Sequence, residues 1–408
     1  MTPVAVTPSL LANALLADGR RVDVRLKDGR IAALTEAGAP ALADAQRIDL
    51  NGALLVAGMV DGHIHLDKTL IGLPFQPHRA GDTVSERIAR EKELRRELRY
   101  PVEERARRLI EQVVAYGTTA LRTHVDIDTE IGLSSLHALL RMREAARDLL
   151  DIQIVAFPQS GIIADPGVKD LLDHAIREGA DLVGGLDPAG IDDDIDAHLD
   201  AIFAIAERRG VGLDIHLHDP GELGCFELRQ IAARALAAGL AGRVAVSHAF
   251  ALGAVDDAAF GRTAEALARS DIAIMTNGPG PVPMPPVMRL ITAGVRVFAG
   301  SDNIRDAWSP YGNGDMLERA MLIGYRQGLL ADSDLELAFH LANGAAAQVL
   351  GLTDHGLRSG AKADLVAIPA GSIAEAVAAH PPRALVMKSG RVVARDGALT
   401  ATIASTRP

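Results

Sequence analysis

Along most of the chain, short apolar runs alternate with longer stretches in which apolar residues recur every three or four positions, the pattern of strands followed by amphipathic helices. The run Leu54-Leu55-Val56-Ala57-Gly58-Met59-Val60 is continuous rather than alternating, so it predicts a strand covered on both faces. Stretches 119–126, 152–159, 182–187, 212–219, 244–248, 272–277 and 295–302 repeat that design, at intervals of roughly 30 residues after a longer first gap. Together they make eight strand-helix units and predict an α/β fold, a (β/α)8 TIM barrel. An open doubly wound sheet is the competing arrangement, but no GxGxxG follows the first strand to give it a dinucleotide site.

The two ends read differently. Segments such as Arg21-Val22-Asp23-Val24-Arg25-Leu26 and Arg30-Ile31-Ala32-Ala33-Leu34 alternate with period two, as do Ala363-Asp364-Leu365-Val366-Ala367-Ile368 and the stretch 384–393. Neither end has enough strands to close a core alone. The expected organisation is a barrel over 58–357 and a small composite β-sandwich domain built from 1–57 and 358–408. In the first gap, the charged stretch 86–99 reads most simply as a solvated helix face, with its first part able to roof the barrel mouth.

Composition narrows the setting. With 408 residues, 48% of them hydrophobic, and 39 glycines, the chain can bury a large core with many short turns. Cys225 is the one cysteine, which excludes an intrachain disulfide and a zinc site built from four cysteines. The start lacks a basic region followed by an apolar one, and no apolar run approaches ~20 residues, so a cytoplasmic protein with no membrane partner is expected. A net charge of −11 without a basic stripe argues against nucleic acid as a partner.

The barrel reading gives the polar strand ends their meaning, because catalytic groups on this fold sit where strands end. Those ends deliver His63, His65, His124, Asp126, Gln159, Asp187, His216, His218, Asp219, His248, Asn277 and Asp302 to one mouth. Residues i and i+2 of a strand share a face, so His63 and His65 can turn toward one ion. His216 and Asp302 complete a set of three imidazoles and one carboxylate that suits one divalent cation with positions open for water and substrate. Zn2+ is the expected ion, and Fe2+ accepts the same donors. His78, His137, His174, His198, His340, His355 and His380 fall on expected helices, loops or the β domain and are read as non-catalytic.

These residues resemble the amidohydrolase superfamily, in its mononuclear, cytosine deaminase-like branch, over almost the whole chain. Binuclear members carry a carboxylated lysine at the end of strand four, where this chain has Gly184-Gly185-Leu186-Asp187-Pro188. The segment Gln153 to Gln159 is similar to the third strand of the cytosine deaminases, and His65-Leu66-Asp67-Lys68, Asp181 to Ala189, His216-Leu217-His218-Asp219 and Ser301 to Met316 are similar to the N-isopropylammelide amidohydrolases of s-triazine breakdown. Cytosine deaminases have a glutamate where this chain has Asp219, and a second aspartate where it has Asn303.

The resemblance implies a deaminase that attacks the ring carbon bearing an exocyclic amine, releasing ammonia or an alkylamine from a small N-heterocycle. His248 and Asp302 would handle the proton of the attacking water. Asp219 or His218, or His248 itself, would pass a proton to the ring and the departing amine, and the sequence leaves the choice open. Gln159 would read the ring edge, and Lys68 would neutralise an anionic ring or lie on a surface loop. Asp187 faces the substrate or caps a helix, and Trp308 lines the pocket or packs. The Pro-rich stretch 277–286 is expected to form an apolar lip fit for an alkyl group. The alternatives are a catalytically silent binding protein, and a deaminase of creatinine or isocytosine. A homo-oligomer is expected on the resemblance alone.

Overall fold

The computed structural model describes residues 7–38, 46–79, 81–400 and 402–403. Eight parallel strands form the barrel in sequence order: Met59–Ile64, Thr118–Asp126, Asp151–Phe157, Leu182–Leu186, Gly212–Leu217, Val244–His248, Ala273–Thr276 and Arg296–Ala299. The seam between the first and last closes where Asp302 bridges to Ile64 and its N–H donates to the carbonyl of His63 at 2.8 Å.

Strand pleating sorts the side chains. Leu213, Ile215 and Leu217 point outward into the main core beneath the helices, while Asp214 and His216 between them face the barrel interior. The interior floor is filled by Val60, Ala120, Ala245, Ala273, Met275 and Phe298, packed against Ala346, Ala347 and Leu350. Small residues on the strands leave room for that plug.

The apolar run expected as one strand is two. Leu54–Ala57 pairs antiparallel with Leu365–Ile368, whereas Met59–Ile64 belongs to the barrel. Gly58 is the break, and a Cβ there would come within 2.0 Å of Oγ1 of Thr119. Its carbonyl accepts from Nδ2 of Asn343 and Nε2 of His355, both at 2.9 Å, so the break is pinned rather than loose. Hydrophobicity alone does not mark this point, because both halves are buried.

Strands from both ends share one nine-stranded sheet, joined at the Leu54–Ala57 to Leu365–Ile368 pair. Period-two alternation again divides the residues. Leu55, Leu365, Ala367, Leu385 and Met387 join Leu11 and Val24 in a core of their own, and Leu54, Val56, Val366, Ile368 and Val386 face the barrel core.

The charged stretch after the first barrel strand forms the helix Val84–Glu97, started by a capping box between Thr83 and Glu86. Most of it is exposed, but Ile88 and Glu91, one turn apart on one face, are buried. The solvated-face reading therefore fails on that stripe. Ile88 packs with Phe157 and Leu186, and with Trp308 beside them, over the barrel mouth. Among the described residues no helix is long and apolar enough to cross a membrane.

Candidate metal centre and active site

At the seam of the barrel three donor atoms converge. Nε2 of His63 lies 3.3 Å from Nε2 of His65 and 3.5 Å from Oδ1 of Asp302, and Nε2 of His65 lies 3.4 Å from the same oxygen. Ligands held at about 2.0–2.2 Å from a tetrahedral ion are separated by about 3.3–3.6 Å, so this triangle has the dimensions of one face of such a coordination shell. His216 stands beside it, its ring centroid 4.6 Å from that of His63. Donor atoms of His63, His216 and His248 also lie within 4.8 Å of one another. Both nitrogens of His216 are buried without a hydrogen-bond partner among the described residues, an expensive state that a bound cation relieves.

Backbone shape brings these donors together. Asp187, His248 and Asp302 end their strands with φ of 34°, 73° and 62°, the left-handed region that non-glycine residues rarely occupy. Gly300 gives the room His63 needs, since a Cβ there would come within 2.5 Å of the His63 Cβ. Asp302 turns its other oxygen to Nδ2 of Asn277 at 2.7 Å.

Electrostatics keeps the donors ready. Burial lowers His65 to about 4, helped by the charge of Lys68. Burial, then the neighbouring imidazoles, holds His216 and His124 well below the usual histidine value, so their nitrogens carry free lone pairs. His248 is likewise lowered by burial, against an opposing pull from Asp302. Burial would raise Asp302, but the imidazoles of His248, His63 and His65 outweigh it and hold the carboxylate well below its ordinary range.

His218 and Asp219, adjacent in sequence, face different ways. Nδ1 of His218 lies 2.8 Å from Oδ2 of Asp187, and its ring stacks on His248 with centroids 4.5 Å apart. Burial opposes its charging, but Asp187, aided by Asp302 and Asp219, raises it above the ordinary histidine value. Asp219 instead accepts from the N–H of Gly190 at 2.9 Å and so braces the loop after strand four. Behind it the fully buried Glu227 accepts from the N–H of Ala189 at 2.9 Å, with its carboxyl pushed up to about 8 by burial and then by Asp219.

Lys68 is buried rather than on a surface loop. Its ammonium lies 3.0 Å from Oδ1 of Asp126 and 3.3 Å from Oε2 of Glu91, and it also donates to Oε1 of Gln159. It sits 5.4 Å from the ring centroid of Phe157 and 5.5 Å from that of Trp308. Indole Nε1 of Trp308 donates to Glu91 as well. Asn303 turns from the metal donors to Oδ2 of Asp306 at 2.6 Å. The Pro-rich lip is tied back, its Val282 and Pro285 carbonyls accepting from Arg326 and Gln327.

Sequence reasoning missed Glu91, Glu227, Ser247 and Asp214. Asp214 carried a signal, lying two residues before His216 on the same strand face. Glu91 lay within a charge run, where one inward carboxylate looks like its neighbours.

The amidohydrolase family's sequence profile matches residues 46–394, and the chain belongs to that family. It is a hydrolase of carbon–nitrogen bonds, and its likenesses are to enzymes of ring compounds. The N-isopropylammelide isopropyl amidohydrolase of Pseudomonas sp. strain ADP is 33% identical over 362 residues, 87% of this chain and 89% of that protein. The crystal structure of N-isopropylammelide isopropylaminohydrolase from Burkholderia multivorans superposes with a TM-score of 0.93 at 41% identity, covering 97% of this chain and 100% of that one. A 5-methylcytosine deaminase from Klebsiella pneumoniae follows at 0.85 and 30%, covering 95% and 97%.

Proposed function

We propose that the chain is a one-metal aminohydrolase that cleaves the exocyclic C–N bond of an N-alkylated s-triazine related to ammelide. The observation that carries this reading is the His63, His65 and Asp302 triangle with the unpartnered His216 beside it. The likeness to two N-isopropylammelide enzymes supports the substrate class. Zn2+ is the proposed ion, held by His63, His65, His216 and Asp302. When bound, such an ion supplies a water acidic enough to attack near neutral pH.

The remaining work belongs to the chain. His248, kept neutral by burial, accepts the proton of the attacking water at the ring face, and Asp302 shares that duty. His218, whose proton affinity Asp187 raises, donates one proton toward the ring nitrogen and regains one from the new hydroxyl as the ring carbonyl forms, while the proton taken by His248 passes to the departing amine. Asp219 serves this step from behind, by fixing the loop that carries Asp187. An ammonium only donates, so Gln159 must turn its oxygen to Lys68, which leaves its NH2 for an acceptor on the ring. Lys68 is balanced by Asp126 and Glu91, and this favours a neutral ring over an anionic one. Ile88, Phe157, Leu186 and Trp308 offer an apolar wall to the alkyl group, a role in which the tied-back Pro-rich lip is secondary.

The likeness to 5-methylcytosine deaminase favours a second reading, in which a pyrimidine loses ammonia at the same centre. A panel of N-isopropylammelide, ammelide, cytosine, isocytosine and creatinine, assayed on metal-loaded protein with isopropylamine and ammonia followed separately, decides between them. Isopropylamine release with little ammonia supports the triazine reading. Brisk ammonia release from cytosine moves the assignment to the second. Silence on every ring with metal bound sinks both.

A further inference from the structure

We infer that Ser247 and Asp214 are positioning residues that fix the tautomer of His63, through a buried chain rooted on Arg122. The inference rests on the metal reading above, because it concerns which nitrogen of His63 is free to bind an ion.

The geometry is a single file. NH1 of Arg122 donates to Oδ2 of Asp214 at 2.7 Å, Oγ of Ser247 donates to Oδ1 of Asp214 at 3.0 Å, and Nδ1 of His63 lies 2.9 Å from the same Oγ. Arg122 is itself held by Oε1 of Gln153 at 2.8 Å and the carbonyl of Val349 at 3.1 Å. Arg122, Asp214, Ser247 and His63 are each at least nine-tenths buried. The ring of His124 stacks on His63 with centroids 3.9 Å apart and packs this floor.

Donor and acceptor chemistry gives the file one direction. A guanidinium can only donate, and a carboxylate paired with it can only accept. Ser247 must therefore spend its one hydrogen on Asp214, and its oxygen is left to accept. His63 meets that oxygen with an N–H on Nδ1, so the lone pair sits on Nε2, the atom of the donor triangle. The opposite tautomer would leave two acceptors facing each other among buried side chains below and aim an N–H at the ion above.

The test measures metal affinity rather than turnover. Wild type, S247A, S247T and D214N are titrated with Zn2+ against a chelator of known affinity, and the urea unfolding of each metal-free protein is recorded alongside. S247A is expected to bind about 10- to 100-fold more weakly, the usual cost of losing a partner behind a metal-binding histidine. S247T, which keeps the hydroxyl, recovers most of the loss. In D214N an amide nitrogen must face either Arg122 or Ser247. Where that protein folds, weakened Zn2+ binding supports the inference and unchanged binding counts against it. S247A binding as tightly as wild type overturns the inference alone. A loss that S247T fails to recover also overturns it, since packing would then be the cause. Wild type that takes up no Zn2+ overturns the metal reading, and this inference with it.

Discussion

The imidazoles of His218 and His248 lie face to face, centroids 4.5 Å apart and planes 23° from parallel, yet their surroundings push their proton affinities in opposite directions. Asp187 grips only the first. A pair so divided gives one ring to take a proton and one to give it. H218N is expected to lower kcat by about 10²- to 10³-fold with KM and metal content nearly unchanged. Steady-state kinetics beside elemental analysis checks this, and a kcat within a few fold of wild type removes His218 from the proton path.

H216A and D302N each delete one donor of the proposed set. Metal content after exhaustive dialysis should fall to below about a tenth of the wild-type level, since a site shaped around four donors binds its ion more weakly when one is removed. If H216A retains a full equivalent, the ion sits elsewhere.

Glu91 ties the roofing helix to Lys68 and Trp308. In E91A the ammonium loses one of its two close carboxylate partners, keeping Asp126 at 3.0 Å, and the indole loses its acceptor. KM should rise about 10-fold while kcat changes little, the mark of lost binding shared by ground and transition states. A fall in kcat with unchanged KM would place Glu91 in the chemistry instead.

Glu227 makes a prediction about stability. Burial, then the Asp219 carboxylate, pushes its carboxyl up to about 8 in the folded chain, against ~4.3 when unfolded. Between those values the folded state holds a proton that the unfolded state has released, so stability falls as pH rises. E227Q keeps the acceptor for Ala189 and removes the titration. Relative to wild type it should gain on the order of a few kcal/mol between pH 5 and 8, read from urea unfolding at each pH. Parallel curves across that range would refute it.

The residues that converge at the barrel seam were legible in the sequence because they end strands, where period two and an abrupt change from apolar to polar coincide, as in Val60 to His65 and Phe298 to Asp302. The eight strands and the shared terminal sheet were legible for the same reason. Two other features were not. Asp219 and His218 are neighbours beyond a strand end, where alternation stops, and nothing local tells that one turns to the mouth and the other to Gly190. Gly58 divides a run whose halves are equally buried, and its need to be glycine comes from Thr119, a contact invisible along the chain.

The seam of the barrel has a consequence for biogenesis. His63 and His65 emerge from the ribosome early, while Asp302, which both meets them and hydrogen-bonds the His63 backbone, emerges only with the last barrel strand. A nascent chain therefore lacks the full set of four proposed donors until its ring closes. An ion held by the proposed donors would join the first barrel strand to the turn after the last, so its binding would add to the stability of the closed ring.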